Sequence, residues 1–193
     1  MRPDSGATRP VFYYDLGSPH SYLAAERINR VLPIVPVWQP IFAGALADGS
    51  DGGPRADATA TAKARVERLA GRYELQPVRW PDGWPQSTLV AMRAAIFAQR
   101  AGRAVAYSLA AFRQAFAAGR DLADIDNVLI AAAACELHPR AVLKGIESRA
   151  VREGLDVATE EAARRGVTGV PAIAVGTRLF AGEEGVELAA AAL

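Results

Sequence analysis

With a single cysteine in 193 residues, Cys135, the chain cannot close an internal disulfide, run a two-cysteine redox cycle or supply a cysteine-based metal cluster. A reducing, cytoplasmic location is therefore expected, with no metal. Histidine is nearly as scarce, at His20 and His138, and lysine occurs only at Lys63 and Lys144. An excess of one charge sign is also missing. The 22 basic and 21 acidic residues leave a formal net charge of +1, too weak a field to recruit nucleic acid or an anionic membrane surface. No apolar run approaches the roughly 20 residues of a membrane-spanning helix, and the opening MRPDSGATRP lacks the apolar core of a secretory leader. What remains is a partner that is a small molecule or another protein surface.

What is present is an apolar content of 51%, enough for one well-buried core or for one domain carrying a sizeable insertion. Val11 to Asp15 is a β-branched and aromatic run and reads as a first strand. A helix then starts at Ser18, with Ser as N-cap and Pro19 at the first helical position, and ends before Pro33. Ile34 to Phe42 reads as a second strand, irregular because of its prolines, and Ala43 to Ala58 as a mobile loop rich in Gly, Asp and Ala. From about Asp57 to Arg165 the pattern is helical in four to six pieces, broken at LQPVRWPDGWP, QRAGRAV, AAGRDLADID and ELHP. Val170 to Val175, a Gly176-Thr177 turn and Arg178 to Gly182 form a hairpin, and Glu183 to Leu193 a last helix.

The order predicts an α/β fold: a thioredoxin-like β-α-β / β-β-α core, residues 11–56 and 154–193, with a large all-helical insertion at 57–153 and a flexible tail at 1–10. A plain α+β domain is the alternative that segment order alone leaves open.

The chemistry concentrates at the first helix. Ser18-Pro19-His20-Ser21 keeps the spacing of a C-x-x-C redox motif without its sulfurs. A hydroxyl at a helix N-terminus, among unpaired N–H groups and the positive dipole end, would favour a bound thiolate over the thiol. The alternative is an ordinary N-cap. In thioredoxin-like proteins a cis proline faces that helix, and Val170-Pro171 holds the matching place; the alternative is a trans proline at a strand start. Backbone beside it would be free to pair with an extended peptide. Cys135, in AAAACELH, reads as a small buried hydrophobe.

The segments FYYDLGSPHSYLAAERI, VWQPIFAGAL, WPDGWPQSTLVAMRAA and RRGVTGVPAIAVGTRLFAGEEGVEL, in that order, resemble the 2-hydroxychromene-2-carboxylate isomerase family. That family is the bacterial branch of the DsbA-like thioredoxin superfamily, allied to kappa-class glutathione transferases. The resemblance covers the chain from Val11 onward. It implies a glutathione-dependent isomerase acting on an aromatic-catabolism intermediate, with Ser18 the catalytic residue that holds the sulfur. Val170 and Pro171 would hold the cysteinyl part of the tripeptide, and Glu183 and Glu184 its γ-glutamyl end.

Three departures from the family pattern stand out. Glu184 and Gly185 replace an Asp-Arg pair, Ser87 stands where relatives carry Asn, and His20 where they carry an aromatic residue. His20, Trp84 and Ser87 are accordingly the expected substrate-pocket residues. Some GC-rich bacteria use a thiol other than glutathione, and the Arg-over-Lys, Ala-rich composition fits such a genome, so the cofactor is glutathione or another low-molecular-weight thiol. A kappa-like glutathione transferase and a non-catalytic thiol-binding or interaction protein remain alternatives, and a homodimer is left open.

Overall fold

The computed structural model describes residues 9–46 and 59–193. Strand β1 (Val11–Tyr14) leads into α1 (Pro19–Val31), then β2 (Val37–Pro40) and a short 3-10 turn at Ala43–Ala45. Six helices follow: α2 (Ala60–Arg72), α3 (Leu89–Arg100), α4 (Ala104–Phe112), α5 (Ile125–Ala133), α6 (Pro139–Glu147) and α7 (Arg149–Arg164). The chain closes with β3 (Ala172–Val175), β4 (Arg178–Ala181) and α8 (Gly185–Ala190). The sheet order is β2-β1-β3-β4. β1 and β2 are parallel, with Phe12 opposite Trp38, and β3 runs antiparallel to both β1 and β4. This is the thioredoxin-like arrangement that the segment order predicts.

Local chemistry explains the boundaries. Ser18 caps α1 by accepting the Ser21 N–H, and Pro19 opens the helix. Gly176, at φ +60°, supplies the left-handed turn of the two-residue β3–β4 hairpin. Several elements are shorter than the sequence suggests. Strand β2 begins only at Val37, because the preceding Val35 carbonyl is taken by the Arg9 guanidinium and not by a ladder. Helix α8 begins at Gly185, because Gly182 to Glu184 form the turn closed by the Gly185 N–H on the Gly182 carbonyl. Ser148 separates α6 from α7, a break the sequence reading does not contain: its hydroxyl donates to the Gly145 carbonyl and accepts from the Val151 N–H.

Alternation along β1 sends Phe12 and Tyr14 to one sheet face and Tyr13 to the other. The first face packs against α1, α8 and the helices from α3 to α5 in one continuous apolar core, in which Tyr14 meets Phe112 and its hydroxyl lies 2.6 Å from Ser108 Oγ. The second face is covered by α7 through Ala158 and Ala162. The segment boundary expected at 153/154 thus falls inside a single helix, and the one at 56/57 lies outside the described residues. So do residues 1–8 of the expected tail and 47–58 of the expected loop. Within the tail, Arg9 and Pro10 are tied down: the Pro10 carbonyl accepts the Val37 N–H at 2.7 Å.

Candidate functional site

The turn between β1 and α1 is organised by Asp15. Its buried carboxylate accepts hydrogen bonds from the Gly17 N–H at 2.8 Å, the Ala43 N–H at 2.9 Å and the Thr88 hydroxyl at 2.9 Å. Burial raises its pKa, and the three donors oppose that rise. The turn closes so tightly that a Cβ on Gly17 would sit 3.0 Å from Thr88 Cγ2.

Ser18 stands at the end of this turn, 1% exposed. Its Oγ accepts the Ser21 N–H at 3.1 Å and donates to the Val170 carbonyl across a long 3.5 Å contact. The Val170–Pro171 peptide is cis, and Ser18 and Val170 meet although 152 residues separate them. The Pro171 carbonyl accepts the Gly182 N–H at 2.9 Å, whereas among the described residues no acceptor meets the Val170 N–H. Ser21 Oγ, fully buried on the first turn of α1, also has no hydrogen-bond partner among the described residues.

The two acids at the C-terminal turn face different ways. Glu184 is exposed, but Glu183 is turned inward, 4% exposed. Its Oε2 lies 2.8 Å from His20 Nδ1 and its Oε1 3.3 Å from Arg65 Nη2. The hydrogen bond from His20 pulls the Glu183 pKa down to about 2, against the upward push of burial. His20, an expected pocket residue, is thus held on Glu183 with its side chain 17% exposed. The imidazole docks on the Glu183 carboxylate because α1 and the β4–α8 turn lie side by side. Arg27, fully buried on α1, locks that contact: it donates to Glu187 Oε1 and, at 3.4 Å, to the Glu183 carbonyl, and its guanidinium stacks 3.4 Å from the Tyr73 ring centroid.

Of the expected pocket residues, Trp84 lies beside the Ser18 turn. It packs against Trp80 and Phe116 at ring separations of 4.9 and 6.4 Å, and lines a small cavity with Leu16, Gly17 and Thr88. Ser87 points to solvent, its Oγ accepting the Leu89 N–H at 3.4 Å. The next residue, Thr88, faces the site instead, a shift of one position at the start of α3. The sequence reading missed Asp15, Thr88, Arg27 and Arg65. For Asp15 a signal was there: Asp two residues before Gly, just after a strand, is an Asx-turn pattern. Among the described residues no group of three His, Cys, Asp or Glu side chains could hold a metal, and no helix is long and apolar enough to cross a membrane.

Similar folds are found among solved structures. A 2-hydroxychromene-2-carboxylate isomerase superposes with a TM-score of 0.84 at 21% identity, over 96% of this chain and 94% of that one. A probable DsbA oxidoreductase from Streptomyces coelicolor gives 0.78 at 24% identity, over 96% and 88%. The cytosolic disulfide reductase DsbM from Pseudomonas aeruginosa, in a structure with GSH, gives 0.62 at 17% identity, over 89% and 88%. At such identities the likeness speaks for the fold alone. No curated protein matches the chain. The model of the DSBA-like thioredoxin domain matches residues 11–193, nearly the whole chain, and the protein accordingly belongs to the DSBA-like thioredoxin domain family.

Proposed function

We propose that the protein is a thiol-dependent isomerase of the 2-hydroxychromene-2-carboxylate type, using glutathione or another low-molecular-weight thiol bound at the start of α1. The observation that carries this reading is the meeting of Ser18, at the positive end of α1, with Val170 beside a cis proline, in a chain without a second cysteine. The disulfide enzymes of the same fold cycle a dithiol, and Cys135, buried on the helical side, cannot do so alone. The similarity to the isomerase structure and the presence of GSH in the DsbM structure support the reading.

The fit of the thiol ligand is uneven along its length. At the sulfur end it is good. The Ser18 hydroxyl spends its proton on a long contact to Val170, so a thiolate would be the better acceptor, and the α1 N-terminus favours the anion. The Ser21 hydroxyl and the Val170 N–H are further donors awaiting an acceptor. At the γ-glutamyl end, Glu183 is already engaged by His20 and Arg65, leaving Glu184 as the exposed acid. When bound, the thiol would supply a nucleophilic sulfur for reversible addition to a conjugated carbon.

This chain's own part is to keep that sulfur ionised, to orient it through Val170 and Pro171, and to offer Trp84 as an aromatic wall. Among the described residues the cavity beside Gly17 is about 10 Å³, too small to hold a bicyclic aromatic acid by itself. A reducing compartment such as the cytoplasm would keep the thiol competent.

The decisive variant is Ser18→Gly. Glycine is only a few tenths of a kcal/mol worse than serine as an N-cap, so the fold survives while the hydroxyl is lost. Glutathione should bind the wild type by calorimetry with a lowered thiol pKa, read as thiolate absorbance. In Ser18→Gly that pKa should rise and isomerase turnover fall by about 100-fold, the order seen when a site loses one charge-stabilising donor. An unchanged thiol titration in Ser18→Gly would reduce Ser18 to a cap. Binding without turnover would favour the non-catalytic thiol-binding reading, and product retaining glutathione the kappa-like transferase.

A further inference from the structure

One to two turns along α1 from Ser18, a cleft of about 340 Å³ opens between α1, the segment after α2 and the end of α4. This volume lies within the range of small-molecule sites. Tyr22 and Glu26, four residues apart on α1, form one wall, and Arg113 and Ala117 form the adjoining one. That second wall is a π-helical turn, Arg113–Ala117, a geometry often found at functional positions. Glu74, Leu75 and Gln76 complete the cleft. Glu74 adopts φ +57°, a left-handed conformation uncommon for glutamate.

The polar groups here have unused capacity. Tyr22 is 2% exposed, and among the described residues its hydroxyl has no hydrogen-bond partner although it borders the cleft. Burial pushes its pKa up to about 12, so the phenol is a proton donor under any physiological condition. Arg113 donates Nε to Glu26 Oε1 at 2.7 Å and Nη2 to Glu26 Oε2 at 2.8 Å, which leaves three of a guanidinium's five N–H groups unspent. Glu26 in turn has both oxygens engaged. Glu74 is exposed, and its carboxylate forms no ion pair among the described residues.

We infer that this cleft binds a zwitterionic α-amino acid with an apolar side chain. Its carboxylate would take the Tyr22 hydroxyl and the remaining Arg113 donors, its ammonium the Glu74 carboxylate, and its side chain the apolar surface of Leu75 and Ala117. Glu26 is neutralised by Arg113 and Glu74 carries the lining's unbalanced charge, so a simple anion would meet Glu74 repulsion, whereas a ligand with both charges uses Glu74 as well as the Tyr22 and Arg113 donors. The site is separate from the thiol site, and its occupancy does not depend on isomerase chemistry. The Tyr22 ring stacks on Phe116 at 5.6 Å, and Phe116 touches Trp84, so binding should also register in tryptophan fluorescence.

Titration calorimetry of the intact protein with L-leucine, N-acetyl-L-leucine and L-leucinamide tests this. L-leucine should bind with one-to-one stoichiometry, and each derivative, lacking one charge, should bind at least about tenfold more weakly. Tyr22→Phe and Glu74→Gln should each weaken leucine at least about fivefold, with circular dichroism and Tm unchanged, since neither side chain bonds within the described fold. No saturable heat at about 10 mM leucine, equal binding of either derivative, or full affinity in both variants would overturn the assignment.

Discussion

Three donors from three parts of the chain converge on Asp15, and a histidine and an arginine converge on Glu183, so the start of α1 is held between two buried carboxylates of opposite behaviour. Glu183 gives a pH signature. Its pKa in the folded protein, about 2, lies below the ordinary 4.5, so the stability it contributes is fully present above about pH 4.5 and drains away as pH falls toward 2. The loss should reach on the order of 3 kcal/mol. Urea midpoints between pH 6 and pH 2.5 should fall steeply in the wild type and less in Glu183→Gln, and equal slopes would show that the pair with His20 does not bear on folding. At this scale the sequence was partly legible. Ser18 and Pro19 announce their cap by residue type alone. The inward turn of Glu183 and the Thr88-for-Ser87 exchange were hidden, because both depend on which of two adjacent polar residues the backbone rotates toward the core. Arg27 was hidden for another reason: a fully buried arginine is legible only once its partners Glu187 and Tyr73, far away in sequence, are in place.

Elements follow periodicity and punctuation, and here the sequence spoke most clearly. The helix breaks at proline- and glycine-bearing segments appear where expected, and the Gly176-Thr177 hairpin forms between β3 and β4. The break at Ser148 has no proline or glycine to announce it. It is made by one serine hydroxyl that terminates α6 and caps α7, and either function alone would look like an ordinary helical serine. Helix α6 approaches α3 closely enough that a Cβ on Gly145 would overlap the Phe97 ring. Gly145→Ala, favourable by helix propensity alone, should therefore destabilise by about 1 to 3 kcal/mol through overpacking. Gly145→Ala combined with Phe97→Leu should recover part of that loss in thermal melts, and a stabilised Gly145→Ala single variant would show that the two helices can separate without penalty.

At the scale of the whole molecule, the helices between β2 and β3 do not form a core of their own. Tyr14 packs on Phe112, the Gln99 amide of α3 donates to the Trp38 carbonyl of β2 at 3.1 Å, and α7 spans the expected boundary to cover the far sheet face. Chemical unfolding should accordingly be one transition, superimposable by near- and far-UV circular dichroism, and two separated transitions would instead mark the helical segment as an independent unit. The same topology sets a timetable for biosynthesis. β1 has β2 on one side but β3 on the other, with Val11 opposite Ala174. At roughly 5 to 20 residues per second, that second edge of Val11, Phe12 and Tyr13 waits on the order of ten to thirty seconds for its neighbour to leave the ribosome. Until Ala172 to Ala174 emerge, the nascent chain carries an aromatic strand edge open to misassociation, and Ser18 meets Val170 only after the chain between them, a separation of 152 residues, has been made.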